Sequence, residues 1–148
     1  MLTISNPTLT VLAVAGHPGQ RRLRLAYEIG CDPADSAAGH PVVEHITVHA
    51  VDEHDAAIRP RETPILDVDD RFVATSGIHL RSVEHVVNRV DLDVEQDWWH
   101  TDHGGEPEPI AEWLDHLAAD IRLEFAGGRV VEATTATVTG SWGALGQD

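Results

Sequence analysis

The segment Val90-Asp91-Leu92-Asp93-Val94-Glu95-Gln96-Asp97-Trp98-Trp99 alternates strictly. Val90, Leu92, Val94 and Trp98 fall on one parity; Asp91, Asp93, Glu95 and Asp97 fall on the other. Side chains of a strand point to opposite faces in turn, so as a strand this segment has one apolar face and one acidic face. A period of two smears apolar groups around a helical wheel, which excludes an amphipathic helix. The alternation predicts a central strand of a half-buried antiparallel sheet.

Other segments supply partners for such a strand. Thr8 to Ala15 is apolar and rich in β-formers, and Gly16-His17-Pro18-Gly19 is a turn. Arg22 to Ile29 follows, with Leu23, Leu25, Tyr27 and Ile29 facing inward, so the two strands read as a hairpin. Residues 31–41 are a surface loop by composition. Val42 to Val51 is a third strand; Val42, Ile46, Val48 and Ala50 share one parity. Glu44 falls on that same apolar parity, which places it at an edge or end of the strand. Asp52 to Asp70 reads as a crossover between sheets, with a short edge strand at 64–68. Phe72–Thr75 and Ile78–Arg81 form a small hairpin around Ser76-Gly77. Residues 80–90 fit helical spacing, but their valines and the alternation that follows favour a strand.

One helix is predicted, near 109–118. Pro109 suits a first turn, and Ile110, Trp113, Leu114 and Leu117 make one apolar stripe. Residues 119–125 alternate again, Gly127-Gly128 signals a turn, and Arg129 to Thr139 returns as the last strand. The chain therefore reads as one all-β domain over 1–148. Its architecture is an antiparallel β-sandwich of the Ig-like, Greek-key type, with seven or eight strands and one short helix.

Composition narrows the function. The chain has 148 residues and a formal net charge of −15, and all ten basic residues are arginine. The first fifty residues carry only −1, while residues 51–100 and 101–148 carry −7 each. Such a field repels nucleic acid and anionic membrane and speeds encounter with a basic protein. The single Cys31 forms no intrachain disulfide and fits a reducing compartment. The start carries no signal-peptide pattern, and no apolar run is long enough to span a bilayer. These features predict a soluble, cytoplasmic protein, or one assembled in a particle.

Three groups of residues are candidates for chemistry. Asp91, Asp93, Glu95 and Asp97, with Trp99 beside them, present a carboxylate ladder and an aromatic anchor to a protein partner. The plainer role is a sheet face paired with Arg22, Arg24, Arg81 or Arg122 on neighbouring strands. His100, Asp102 and His103 put three potential zinc ligands in four loop residues. His45, His49 and His54, with Asp52 and Asp55, make a second cluster. His45 and His49 stand about 13 Å apart on one strand and cannot share an ion. There is no Gly-x-Ser-x-Gly nucleophile elbow and no phosphate loop.

The expectation is a non-catalytic protein-binding or assembly module without a cofactor. It would bind a basic protein as an inhibitor or immunity protein does, or self-associate through edge strands as a subunit of a phage particle or larger complex. The rival is a metal-dependent enzyme or metal-binding protein built on His100, Asp102 and His103.

Overall fold

A computed structural model describes residues 1–51, 64–92 and 115–142. Eight strands form two antiparallel sheets packed face to face. Sheet A has the order β1-β2-β5; sheet B has the order β4-β3-β6-β7, with β8 also paired to β6. This is the expected antiparallel sandwich. The chain leaves sheet A after β2, builds β3 and β4 in sheet B, and returns to lay β5 against β2.

β1 (Leu2–Ala13) and β2 (Gln20–Cys31) form the first hairpin. Gly16 turns the chain with φ 76°, and Gln20 N donates to His17 O. β1 starts six residues earlier than the alternation suggested, because it contains a bulge. Ser5 pairs with Glu28 and Thr8 with Ala26, so Asn6 and Pro7 stand together opposite Tyr27. Asn6 takes φ 51°, a conformation asparagine tolerates. The extra residue switches the inward parity from Leu2 to Leu9, which hides the strand from any test of simple alternation.

The loop expected at 31–41 holds the one α-helix among the described residues, α1 (Pro33–Ala38). Asp32 caps it by accepting from Asp35 N at 2.9 Å, Pro33 opens the first turn, and Gly39 ends it at φ 65°. Composition signalled a break in the sheet there, and the cap residues convert that break into a helical turn.

β3 (Pro41–Ala50) runs through the middle of sheet B, between β4 (Leu66–Val73) and β6 (Asp115–Phe125). Glu44 is therefore at neither an edge nor an end: it is 1% exposed, inside the sandwich. β5 (Gly77–Asn88) belongs to sheet A. The stretch 74–76 therefore crosses between sheets, and the hairpin expected around Ser76-Gly77 does not form. Residues 80–88 are strand, as the valines indicated.

β5 pairs with the whole of β2, ending at Gln20 opposite Asn88. Beyond Asn88 no strand among the described residues continues the pairing, and the chain turns into a 3-10 helix, Arg89–Leu92. Val90, Asp91 and Leu92 are thus not strand residues; their alternation yields to the burial of Leu92, which is 0% exposed in the core. Residues 93–99 of the ladder lie outside the described residues.

The helix expected near 109–118 is corrected where it can be seen. Residues 109–114 lie outside the described residues, and Asp115 to Ala118 are the first four residues of β6. Leu117 pairs with Ala50 on one side and Val138 on the other, and continues the inward row Ala119, Ile121 and Leu123. Sheet pairing on both sides outweighs a single helical stripe. Gly127 and Gly128, at φ 79° and 73°, make the turn into β7 (Arg129–Thr134), and β8 (Val138–Gly140) completes β6. Between β7 and β8 the ladder breaks, and Thr135 fills the gap. Its Oγ1 accepts from Ala119 N at 3.0 Å while its own N donates to Ala119 O.

The core lies between the sheets. Leu23, Leu25, Tyr27 and Ile29 face Val42, Ile46, Val48, Leu117, Ile121 and Leu123. β1 runs close to β7, so one long side of the sandwich is shut.

Candidate binding edge

On the other long side the mouth of the sandwich lies between β4 and β5. A buried polar cluster spans it. Glu44 Oε2 accepts from Tyr27 OH at 2.5 Å and from Arg81 Nε at 2.6 Å, and Arg81 Nη2 donates to Glu44 Oε1 at 2.8 Å. The same Arg81 nitrogen reaches Asp70 Oδ2 at 3.1 Å, and the guanidinium stacks on Phe72, 4.1 Å from its centroid. Glu44 is in β3, Phe72 and Asp70 in β4, Tyr27 in β2 and Arg81 in β5, so the cluster joins both sheets. The bidentate fork matches the carboxylate, and the tyrosine fills a further lone pair, which is what burial of a charge requires. Desolvation and the neighbouring Glu44 push the Tyr27 phenol far above its ordinary range. The Glu44 hydrogen bonds hold Arg81 charged. The Asp70 carboxyl is held below its usual value, first by the Arg71 backbone N–H and then by Arg81. Sequence reasoning missed this cluster. Its signal was two charges on inward parities: Glu44 among Val42, Ile46 and Val48, and Arg81 in phase with Val83 and Val87.

Arg81 fixes β5 from its inner side. One edge of that strand is unpaired among the described residues. β5 is the terminal strand of sheet A, and among the described residues nothing pairs with its free edge. Its register with β2 is unbroken over twelve pairs, with no bulge and no proline. Its outward row is Ile78, Leu80, Ser82, Glu84, Val86 and Asn88. Ile78 is 75% exposed, Leu80 73% and Val86 49%. Beside the first half of the strand an open groove of about 310 Å³ is lined by Phe72, Val73, Ala74, His79, Leu80 and Arg81.

The other edges are blunted. β1 carries Pro7 in a bulge and lies along β7. β4 has eight residues, of which Asp67, Asp69, Asp70 and Arg71 are charged. The β7–β8 edge is interrupted at 135–137. Proline, bulges, charge and shortness are the devices that stop edges from pairing, and β5 lacks the first two and the last. Its two charged side chains are already engaged: Arg81 with Glu44, and Glu84 with Arg24 at 2.7 Å and Arg22 at 3.6 Å.

Charge is divided between the sheets. The strands of sheet A hold four arginines (21, 22, 24, 81) against two glutamates (28, 84). Those of sheet B hold eight acidic residues against three arginines. On the outer face of sheet B, His45 lies between two carboxylates, 2.5 Å from Asp69 and 3.3 Å from Glu124. Hydrogen bonds to Asp69 and then Glu124 raise its proton affinity. His49 lies 3.4 Å from Asp120, on the same face.

Of the residues singled out by sequence, Asp91 is exposed on the 3-10 helix. Asp93, Glu95, Asp97, Trp99, His100, Asp102 and His103 lie outside the described residues, as do His54, Asp52 and Asp55. Arg22, Arg24, Arg81 and Arg122 find acidic partners other than the ladder: Glu84 for the first two, Glu44 and Asp70 for Arg81, Glu124 and Glu132 for Arg122. Among the described residues no group of three His, Cys, Asp or Glu side chains is placed to hold a metal. None of the described helices is long and apolar enough to cross a membrane.

No protein-family model matches the chain, and a search of curated proteins finds no match. Solved structures align with it at low identity. A protein from Archaeoglobus fulgidus aligns at 11% identity and TM-score 0.47, over 93% of this chain and 94% of its own. A Bordetella pertussis protein given the name ApaA aligns at 10% identity and TM-score 0.39, over 94% of this chain and 91% of its own.

Proposed function

We propose that this chain is a non-catalytic protein-binding module, an assembly subunit whose docking element is the free edge of β5. The observation that carries the reading is the contrast among edges. Three are blunted, and the fourth is long, regular and flanked by Ile78 and Leu80 at about three-quarters exposure. An added strand takes its affinity from backbone hydrogen bonds and its specificity from alternate side chains. Arg81 holds β5 to sheet B, so the edge is rigid before any partner arrives.

Amide hydrogen exchange tests this directly. A synthetic extended peptide with valine at alternate positions is added to the dilute full-length protein. Protection confined to alternate amides of residues 77–88 is the expected result. Protection at β4 or β7 instead, or none at β5, rejects the reading.

A further inference from the structure

We infer that the strand which occupies this edge belongs to another protein and is basic on one side: an arginine or lysine opposite Val83 meets Asp70 across the mouth, while apolar residues lie beside Ile78, Leu80 and Val86. The inference rests on the β5 docking edge proposed above and names the chemistry of its occupant.

The backbone fixes how such a strand lies. Arg89 N donates to Gly19 O at 2.8 Å, in register with the pairing of Gln20 and Asn88. Hydrogen-bonded pairs alternate along an antiparallel ladder, so the odd-numbered residues of β5 direct their N–H and C=O groups to β2. The even-numbered residues Ile78, Leu80, Ser82, Glu84 and Val86 direct theirs to the free edge. An antiparallel strand added there places the side chains opposite these five residues on the outer face. Those opposite His79, Arg81, Val83 and His85 fall on the inner side, at the mouth, in non-hydrogen-bonded pairs where side chains stand closest.

Charge decides what the inner row holds. Asp70 is directly opposite Glu44 in the pairing of β3 and β4, so both carboxylates lie on the inner face of sheet B. Among the described residues one guanidinium serves both. Arg81 commits Nε and Nη2 to Glu44, and reaches Asp70 only through that same Nη2 at 3.1 Å. The Asp70 side chain is 67% exposed, so water meets the rest of its need in the free protein. A strand laid on β5 displaces that water, and a carboxylate taken out of water needs another donor. The Asp70 carboxyl is lowered by the Arg71 N–H and then by Arg81 and His85, the two inward neighbours of Val83. A cation opposite Arg81 meets like charge, which destabilises a cross-strand pair. A cation opposite Val83 meets an aliphatic side chain and has Asp70 across the mouth.

The outer face has no such need. Glu84 is already held by Arg24 and Arg22, and the exposed Ile78, Leu80 and Val86 take apolar neighbours. Three residues before its cation the partner therefore carries an apolar side chain opposite Val86. Three and five residues after it come apolar side chains opposite Leu80 and Ile78. A basic strand is also what a net charge of −15 draws in.

Three synthetic peptides test the inference on the full chain. All have valine throughout the outer row and threonine in the inner row, except at one central inner position, which is arginine, threonine or glutamate. Amide exchange locates each peptide, and fluorescence anisotropy at physiological ionic strength measures its dissociation constant. Protection falls on the amides of Ile78, Leu80, Ser82, Glu84 and Val86. The arginine peptide binds about fivefold tighter than the threonine peptide, as an ion pair at a largely exposed carboxylate provides, and the glutamate peptide binds weakest. Asp70→Asn abolishes the arginine preference. Asp67→Asn removes the same charge from the outer face of β4 and keeps the preference. Equal binding of the three peptides, or a preference that both variants remove alike, overturns the inference; if β5 is still protected, the docking edge stands and takes an uncharged strand. Tightest binding of the glutamate peptide overturns it in favour of an acidic strand. Absence of protection at β5 with every peptide removes the docking edge and the inference together.

Discussion

Arg81→Met removes a cation that joins the two sheets. Arg81 supplies two of the three hydrogen bonds that Glu44 receives, and Glu44 is 1% exposed. Methionine keeps an unbranched stem over Phe72 but leaves a buried carboxylate with only Tyr27. Breaking a buried pair from one side costs about 3–5 kcal/mol, because the surviving charge stays out of water. The Arg81 side chain is 20% exposed at the mouth, so water relieves part of this and the low end, about 3 kcal/mol, is expected. Loss of the exposed Asp70 contact adds at most about 1 kcal/mol. For a chain of this size, 3 kcal/mol lowers the melting temperature by about 6–12 °C. Urea denaturation at neutral pH measures the cost. The double variant Glu44→Gln/Arg81→Met removes the charge and recovers part of the loss, so the two changes are not additive. A cost below about 1 kcal/mol for Arg81→Met, or strict additivity in the double variant, refutes the view that Glu44 depends on this partner.

Three further outcomes follow from local geometry. Thr135→Val keeps the side-chain shape but leaves the buried Ala119 N–H without its acceptor, at a cost of about 1–3 kcal/mol in urea denaturation. Gly127→Ala forces a Cβ at φ 79° and costs about 1 kcal/mol by the same assay, less whatever alanine gains by restricting the unfolded chain. His45 has its proton affinity raised by Asp69 and Glu124, so its stabilisation is complete below the unfolded value of about 6.5 and is lost as pH rises through the higher folded value. The side chain is a third exposed, so the effect is below about 1 kcal/mol. The urea midpoint of the wild type should fall relative to that of His45→Gln between about pH 6 and pH 9.

The parts of the fold legible in sequence were strands with one fully buried face. β2 and β3 alternate cleanly because every second side chain enters the core, and the Gly127-Gly128 turn announces the last hairpin. What escaped was whatever depends on distant partners. The bulge at Asn6-Pro7 reverses parity inside β1. Leu117 closes a helical stripe in sequence but is claimed by strands on both sides. The 90–92 alternation ends where β2 runs out of residues to pair with. Glu44 could be seen as misplaced but not as satisfied, since Arg81 lies thirty-seven residues away. The proposed docking edge was hidden too: its outward row mixes Ile78 and Leu80 with Ser82 and Glu84, and only topology shows that β5 is the end strand of sheet A among the described residues. Of the proposed ladder, Asp91 alone falls within the described residues, and it lies in the 3-10 helix rather than in a strand.

The sandwich is bound like a book. β1 along β7 is the spine, and Arg81 is the clasp across the open fore-edge. The clasp is one side chain gripping Glu44, Asp70 and Phe72 of the facing sheet, whereas the spine is the close approach of two strands, β1 and β7. The first large opening of the native molecule should therefore swing β4 away from β5, before the spine parts. Native-state hydrogen exchange would show it as β4 amides that exchange at lower free energy than those of β2, β3 and β6.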